Sequence, residues 1–293
     1  MVTNYTGDVL NFGMAVEKAR AADKNVAMVV VGDDVGVGRA KSGKVGRRGL
    51  SGTALVVKLC SALAEQGVGL DECARVGRLA VANLVSVGAS LSRVHVPGKT
   101  LEEAKEEEAR LGPGLIELGM GIHNEPGCEK LRTDLPSLVK TMLAQLLDPN
   151  DKDRAYVQIS QSDNILLLVN NFGGVSNLEL GAVTTEITVQ LRKDYGLKPK
   201  RILVGTYFGS LDGPGFTVTI LKLIDTGLGA GKSMLELIDA PAEAIGWPTP
   251  IRASTWEKDF AAMDHQGPEE EGEVKPSNVK GVLISLSDKQ GDN

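Results

Sequence analysis

The chain has 293 residues, 42% hydrophobic and 24% charged, with a formal net charge of −6; that is the make-up of a soluble globular protein long enough for two domains, each with its own core. The acidic balance excludes a nucleic-acid partner, since a phosphate backbone needs a concentrated positive surface and the basic residues here cluster only in short loops. Three cysteines without C-x-x-C spacing exclude a disulfide framework and a zinc site, while the lack of any apolar run near the roughly 18–20 residues that span a bilayer, or of a signal pattern, predicts a cytoplasmic protein with no membrane partner.

Apolar residues at Val9, Leu10, Phe12, Val16 and Ala19 predict a helix over 9–22, with Asp8 standing as its N-cap. The β-branched run 26–31 predicts a strand covered on both faces. Asp33 and Asp34 end it, a pair that would need a third ligand to hold a metal and otherwise turns the chain. The segment 36–49, rich in Gly, Lys and Arg, reads either as a surface loop or as a contact for a phosphate or a partner domain. Helical periodicity returns over 53–64 and 70–87, and a short strand over 93–96 stops at Pro97. Residues 99–110 are charge-dense, with Glu102, Glu103, Glu106, Glu107 and Glu108 among Lys105 and Arg110, and read as a solvated helix or connecting arm.

From Gly112-Pro113-Gly114 the pattern becomes β(115–122), α(135–147), β(164–169), α(178–195), β(201–206), β(215–225), whose two consecutive final strands predict a mixed sheet. The expected fold class is α/β: a first α/β domain over 1–111 with a truncated parallel-sheet layer, and a second over 112–250 with a mixed sheet and helices. Residues 251–293, with their Pro, Gly, Glu, Lys and Ser bias, are expected to be a linker or disordered tail, interrupted by an apolar island at 281–286.

The stretch Gly119-Met120-Gly121-Ile122-His123-Asn124-Glu125-Pro126-Gly127 places one imidazole on a glycine-lined loop after an apolar strand. Glycine lets the backbone approach a ligand, proline stiffens the far side, and a neutral imidazole attacks carbonyl carbon. The competing reading is a histidine that only hydrogen-bonds within its turn. Asp8 has two readings as well, helix cap or general base, and they are compatible. Cys128, five residues after His123, is read as structural. Two segments imitate a nucleotide P-loop. Residues 38–45 put Val45 where a magnesium-binding hydroxyl belongs; residues 226–233 begin on Thr226 instead of glycine, and read more simply as a strand-to-helix turn.

GMGIHNEPG resembles the loop of dihydroxyacetone kinases, in their substrate-binding K domain. Five more segments agree in order: Asn4-Tyr5-Thr6-Gly7-Asp8, Val29-Val30-Val31-Gly32-Asp33-Asp34, Gly46-Arg47-Arg48-Gly49-Leu50, His95-Val96-Pro97-Gly98 and Leu211-Asp212-Gly213-Pro214-Gly215-Phe216. The resemblance runs from about residue 4 to Pro248 and is closest in wording to fungal members. It implies that His123 anchors dihydroxyacetone, or a related triose, as a hemiaminal, and that Asp8 is the general base at the hydroxyl that receives phosphate. Thr3 stands at a substrate-side position that is commonly lysine in the family, so a positive contact is absent there. His95 carries over no duty, and His265 lies in the polar tail. No metal is assigned to this chain: ATP and Mg would be bound by a separate helical L domain that is not present here.

The resemblance further implies an N-terminally truncated K domain, because family members carry an upstream Gly-Gly-Gly-Ser-Gly-His-Glu-Pro loop whereas Met1 stands three residues before Asn4. Unpaired strand edges and exposed apolar helix faces are therefore expected. The expected partners are the triose, an L domain or full-length kinase, and in the family's manner a second copy. The alternative is a non-catalytic remnant that binds or regulates full-length kinase subunits.

Overall fold

The first turn of the chain is set by a short strand rather than by a cap. In a computed structural model, which describes residues 1–43, 45–92, 94, 97–98, 111, 114–123, 125–248 and 251–256, β1 (Val2–Thr3) pairs in parallel with β2 (Val30–Val31). The Asn4 amide also donates to Val31 O at 2.8 Å, so the chain leaves the strand only at Tyr5. Tyr5 is thus the N-cap of α1 (Thr6–Ala21), with extended backbone and no side-chain cap bond, and Asp8, expected as the cap, lies inside the first turn. β2 is shorter than the apolar run 26–31 because β1 offers it only two residues of ladder.

The Gly- and Lys-rich segment is anchored rather than loose. It contains α2 (Gly38–Ser42), in which Gly38 has φ +75° and the Asp153 carboxylate occupies the space of a Cβ. Asp153 also accepts from Ala40 N at 2.7 Å. α3 (Gly52–Glu65) and α4 (Leu70–Ala82) follow. The helix expected over 70–87 ends at Ala82, and Leu84–Ser90 forms β3, every residue of it buried. An apolar run fits either period, and the partner decides: β3 pairs along its whole length with a strand more than a hundred residues on, from Leu84↔Leu221 to Ser90↔Gly215.

β4 (Ile116–Leu118), β5 (Glu129–Leu131), α5 (Leu135–Leu147), β6 (Ile165–Asn171), α6 (Asn177–Tyr195), β7 (Arg201–Gly205), β8 (Gly215–Lys222) and α7 (Met234–Asp239) complete the order. The strand expected over 115–122 stops at Leu118 because Gly119, φ +74°, turns the chain out of the sheet. The larger sheet runs β5-β4-β3-β8-β6-β7; only β6 and β7 are parallel, so the sheet is mixed as expected. Because β3 precedes residue 112, this sheet draws on both sides of the 111/112 boundary read from the sequence, and Met1–Arg252 forms one compact unit. Of the second unit, 253–293, only a helical turn at 253–256 is described. The arm 99–110, most of the strand 93–96, and the tail from 257 lie outside the described residues.

Alternation along the strands feeds two cores. Val85, Val87, Leu167 and Val169 point toward α5 and α6, where Met142, Leu143 and Ile187 meet them. Leu84, Leu166 and Leu168 point the other way, onto Leu55, Leu59 and Val76 of α3 and α4 and Leu237 of α7. The result is an α/β layered fold with a small parallel sheet beside a larger mixed one.

Candidate functional site

β4 and β5 are joined by the hairpin loop that carries His123. Its neck is fixed by backbone: Cys128 N donates to Leu118 O at 2.8 Å, and Gly127 passes so close to the Leu118 carbonyl that a Cβ there would collide with it. Its outer side lies on Gly36, where an added Cβ would stand 2.8 Å from the Cα of Gly119. Two glycines facing each other let two loops touch through their main chains.

Arg48 locks that contact. Its guanidinium pairs with buried Asp34 at 2.6 Å through Nη2 and 2.8 Å through Nε, and it donates to the carbonyls of Gly119 and, at 3.4 Å, Pro126. Both ends of the His123 loop are thereby tied to one carboxylate. Burial pushes the Asp34 carboxyl up, opposed by Arg48 and by the Gly36 N–H that donates to it at 2.8 Å. Asp33 is equally committed, accepting from Leu50 N at 2.7 Å, Gly52 N at 2.9 Å and the Ser86 hydroxyl, which continues through Thr219 to Ser51 and Thr217. The aspartate pair therefore builds scaffold. Among the described residues no group of three or more His, Cys, Asp or Glu is placed to hold a metal ion.

His123 is exposed, and Glu125 holds it at two points: Oε1 lies 2.9 Å from His123 Nδ1, and Oε2 accepts from the His123 N–H at 3.0 Å. The imidazole meets the Tyr5 ring edge-on, with centroids 4.5 Å apart and an interplanar angle of 78°. Tyr5 in turn donates its hydroxyl to Gly49 O at 3.0 Å, and burial, reinforced by Glu125, pushes its phenol above the ordinary range. Asp8 is half-buried, three residues past Tyr5 in the first turn of α1. Thr3 sits on β1 opposite Val31, its methyl packed on Gly49. A cleft of about 280 Å³ opens beside the loop, with Tyr5, Thr6, Lys41, Arg48 and Pro126 on its walls.

The structure thus joins His123 to Glu125 and Tyr5, sets Asp8 one helical turn from Tyr5, and leaves Thr3 on the strand behind. Glu125, Tyr5 and Arg48 were not singled out in the sequence, although all three lie inside the matched segments. Cys128 packs at the loop's neck, with its thiol 3.4 Å from Leu118 O and the Gln145 amide 3.7 Å away. His95 and His265 lie outside the described residues.

Neither P-loop imitation presents a phosphate cradle. Residues 38–42 are already helical as α2. In the second, Thr226 Oγ1 donates to Lys232 O at 2.7 Å, and Ser233 caps the six-residue α7, its hydroxyl donating to Glu236 at 2.7 Å. Ser233, the hydroxyl at the magnesium position of the second segment, is spent on capping α7, and the first segment has Val45 there, so neither segment fits ATP and Mg.

The Dak1 domain family matches residues 1–246 of this scaffold. The chain belongs to the Dak1 domain family. The Dak1 chain is 44% identical over 261 residues to dihydroxyacetone kinase 1 of Saccharomyces cerevisiae, covering 85% of itself and 44% of that protein. It is 42% identical over 266 residues to the dihydroxyacetone kinase of Pichia angusta, covering 87% and 43%, and 40% identical over 251 residues to human triokinase/FMN cyclase, covering 85% and 40%. The crystal structure of the C. freundii dihydroxyacetone kinase in complex with AMP-PNP and Mg2+ superposes with a TM-score of 0.69 at 29% identity, covering 99% of this chain and 46% of that one. The chain therefore spans less than half the length of these relatives. No described helix is long and apolar enough to cross a membrane.

Proposed function

We propose that this Dak1 chain is the substrate-binding part of a cytoplasmic dihydroxyacetone kinase, a phosphotransferase that holds dihydroxyacetone or a related triose on His123. The observation that carries this reading is the 2.9 Å contact between His123 Nδ1 and Glu125 Oε1. A carboxylate at that nitrogen selects the tautomer with the proton on Nδ1, which leaves the Nε2 lone pair unprotonated for attack. In the hemiaminal step Nε2 bonds to the ketone carbon, the C=O π pair moves to oxygen, that oxygen takes a proton from water, and the Nδ1 proton passes through Glu125 to the hydroxide left behind. Charge and protons balance, and no oxidant is needed.

Asp8 is the proposed general base at the substrate hydroxyl; its support is a position in the first turn of α1, three residues after the Tyr5 whose ring meets the imidazole. Thr3 offers a hydroxyl but no charge at the edge of that region. ATP supplies the phosphoryl group when held by an L domain or a full-length kinase subunit.

The test is carbon NMR of the chain with dihydroxyacetone labelled at the carbonyl carbon. A tetrahedral-carbon signal is expected with the native chain, weakened in Glu125→Gln and lost in His123→Ala. Asp8→Asn is expected to keep that signal while losing turnover in a mixture with ATP, magnesium and an L domain. A ketone signal unchanged by the native chain overturns the reading.

One observation favours the alternative, a non-catalytic chain that docks on full-length kinase subunits: α1 exposes Leu10 at 67%, Phe12 at 54% and Met14 at 60%. Co-purification with intact kinase, combined with no turnover in the reconstituted mixture, would select it.

A further inference from the structure

A second cavity lies away from His123, on the α3 side of the larger sheet. The first turns of α3, the turn at 207–208 and the segment 242–247 enclose about 370 Å³. Val57, Tyr207, Phe208 and Trp247 give it apolar and aromatic walls, with the Trp247 and Tyr207 rings edge-on at 5.0 Å. No carboxylate lines it.

Two of its polar groups are unusual in being buried and unpaired. Thr53 and Trp247, 8% and 9% exposed, both line the cavity, and among the described residues neither the Thr53 hydroxyl nor the Trp247 indole N–H has a hydrogen-bond partner. Buried donors are almost always satisfied, because an unmade bond forfeits the desolvation of that group. Lys58, 6% exposed, stands on the same wall with its ammonium 5.8 Å from the Trp247 ring centroid. It donates to Ala240 O and Pro241 O; an ammonium carries three protons, which leaves one for a guest. Burial pulls the Lys58 ammonium below its ordinary range, with Asp239 opposing.

We propose that this cavity is a binding site for a small aromatic carboxylate, its ring seated among Tyr207, Phe208 and Trp247 and its oxygens accepting from the Trp247 indole N–H, the Thr53 hydroxyl and Lys58. Two unpaired polar groups and one cation on a lining without a carboxylate call for an anion, Asp239 reaching Lys58 only from outside that lining; the aromatic walls and the single cation favour a flat monoanion over a phosphate. The cavity is separate from the triose site, yet the two share a turn: Tyr207 and Phe208 amides both donate to Asn170 Oδ1 at 2.8 Å, and two residues on the Ser210 hydroxyl donates to Ile122 O, next to His123.

The chain has two tryptophans, so a 15N-labelled full-length sample shows two indole N–H signals, and Trp256→Phe assigns them. Titration with 2-naphthoate is expected to move the Trp247 signal saturably downfield. The neutral analogue 2-naphthylmethanol, and 2-naphthoate with Lys58→Met, are each expected to bind at least about tenfold more weakly, as loss of a charge-assisted bond requires. Thr53→Val is expected to weaken 2-naphthoate about fivefold. The same variant should leave the thermal midpoint of the free chain unchanged or higher, because it removes an unpaired hydroxyl; a hydroxyl with only a structural role would lower it. The proposal is overturned by no saturable shift at millimolar 2-naphthoate, which marks a solvent-filled cavity, by equal affinity for the two naphthalenes, or by a response confined to Trp256. Should Lys58→Met not fold, the Thr53→Val pair of readouts decides.

Discussion

The loop that carries His123 and the helix that carries Asp8 meet where His123 packs on Tyr5, yet the chain holds them by different means. The loop is tied at its neck by backbone, pressed against Gly36, and riveted to Asp34 through Arg48. α1 has none of this. None of its sixteen residues is buried and the Tyr5 side chain does not cap the helix, whereas nine of the fourteen residues of α3 are buried. Helices of this length gain most of their stability from a packed face, so α1 is the softest element beside the site. The half of the site that carries His123 is fixed by packing and the half that carries Asp8 is not, so the proposed roles of the two residues place different demands on the fold.

The sharpest way to break this contrast is at Arg48. Arg48→Met strands the buried Asp34 carboxylate and removes the donor shared by Gly119 and Pro126, so a loss of about 3–5 kcal/mol is expected in urea denaturation. The His123 ring resonances should broaden with it. Adding Asp34→Asn should recover part of the loss, because the cost lies in the unpaired charge. Next in size is a paired truncation: Leu59→Ala, in the core between α3 and the sheet, is expected to cost about 2–5 kcal/mol, while Leu10→Ala on α1 should stay within about 0.5 kcal/mol. Equal losses at the two leucines would mean that α1 is packed in solution.

The split between local and distant causes also decides what could be read from the chain alone. α5 was readable to the residue because its signals are local: the Asp134 carboxylate accepts from Ser137 N at 2.9 Å and Pro136 sits in the first turn. α6 was nearly so, since Ser176 and Glu179 form a reciprocal cap. The break between α4 and β3 was not, because nothing within 70–87 distinguishes a buried helix turn from a strand whose partner is Gly215–Lys222. The cap reading of Asp8 fails for a distant reason too: Asn4 is bonded to Val31, which makes Tyr5 the first residue free to open the helix. At the site, His123 announced itself by its glycines, but the roles of Arg48 and Tyr5 come from contacts across dozens of positions, such as the 71 between Arg48 and Gly119. Glu125 is the exception: only two residues from His123, it was readable in principle from carboxylate chemistry.

Within the loop, Gly127→Ala sharpens the comparison at a smaller scale. Its Cβ would strike the Leu118 carbonyl and lie 3.0 Å from Met120 N, both backbone atoms with no rotamer to yield. A loss of about 1–3 kcal/mol is expected from denaturant titration, the ordinary cost of overpacking.

The smallest effect has the opposite sign and tests the softness of α1 directly. Gly13 lies inside the helix, with no atom of the described residues beyond its own helix within 4 Å of the position a Cβ would take. Gly13→Ala therefore adds no clash and removes unfolded-state freedom, for an expected gain of about 0.4–1 kcal/mol in the helix itself. An α1 that opens separately from the core will show that gain in amide hydrogen exchange over residues 6–21 and scarcely in the global urea midpoint. If α1 instead unfolds only with the whole unit, protection will rise evenly across α1 and α3, and Asp8 would then be as firmly held as His123.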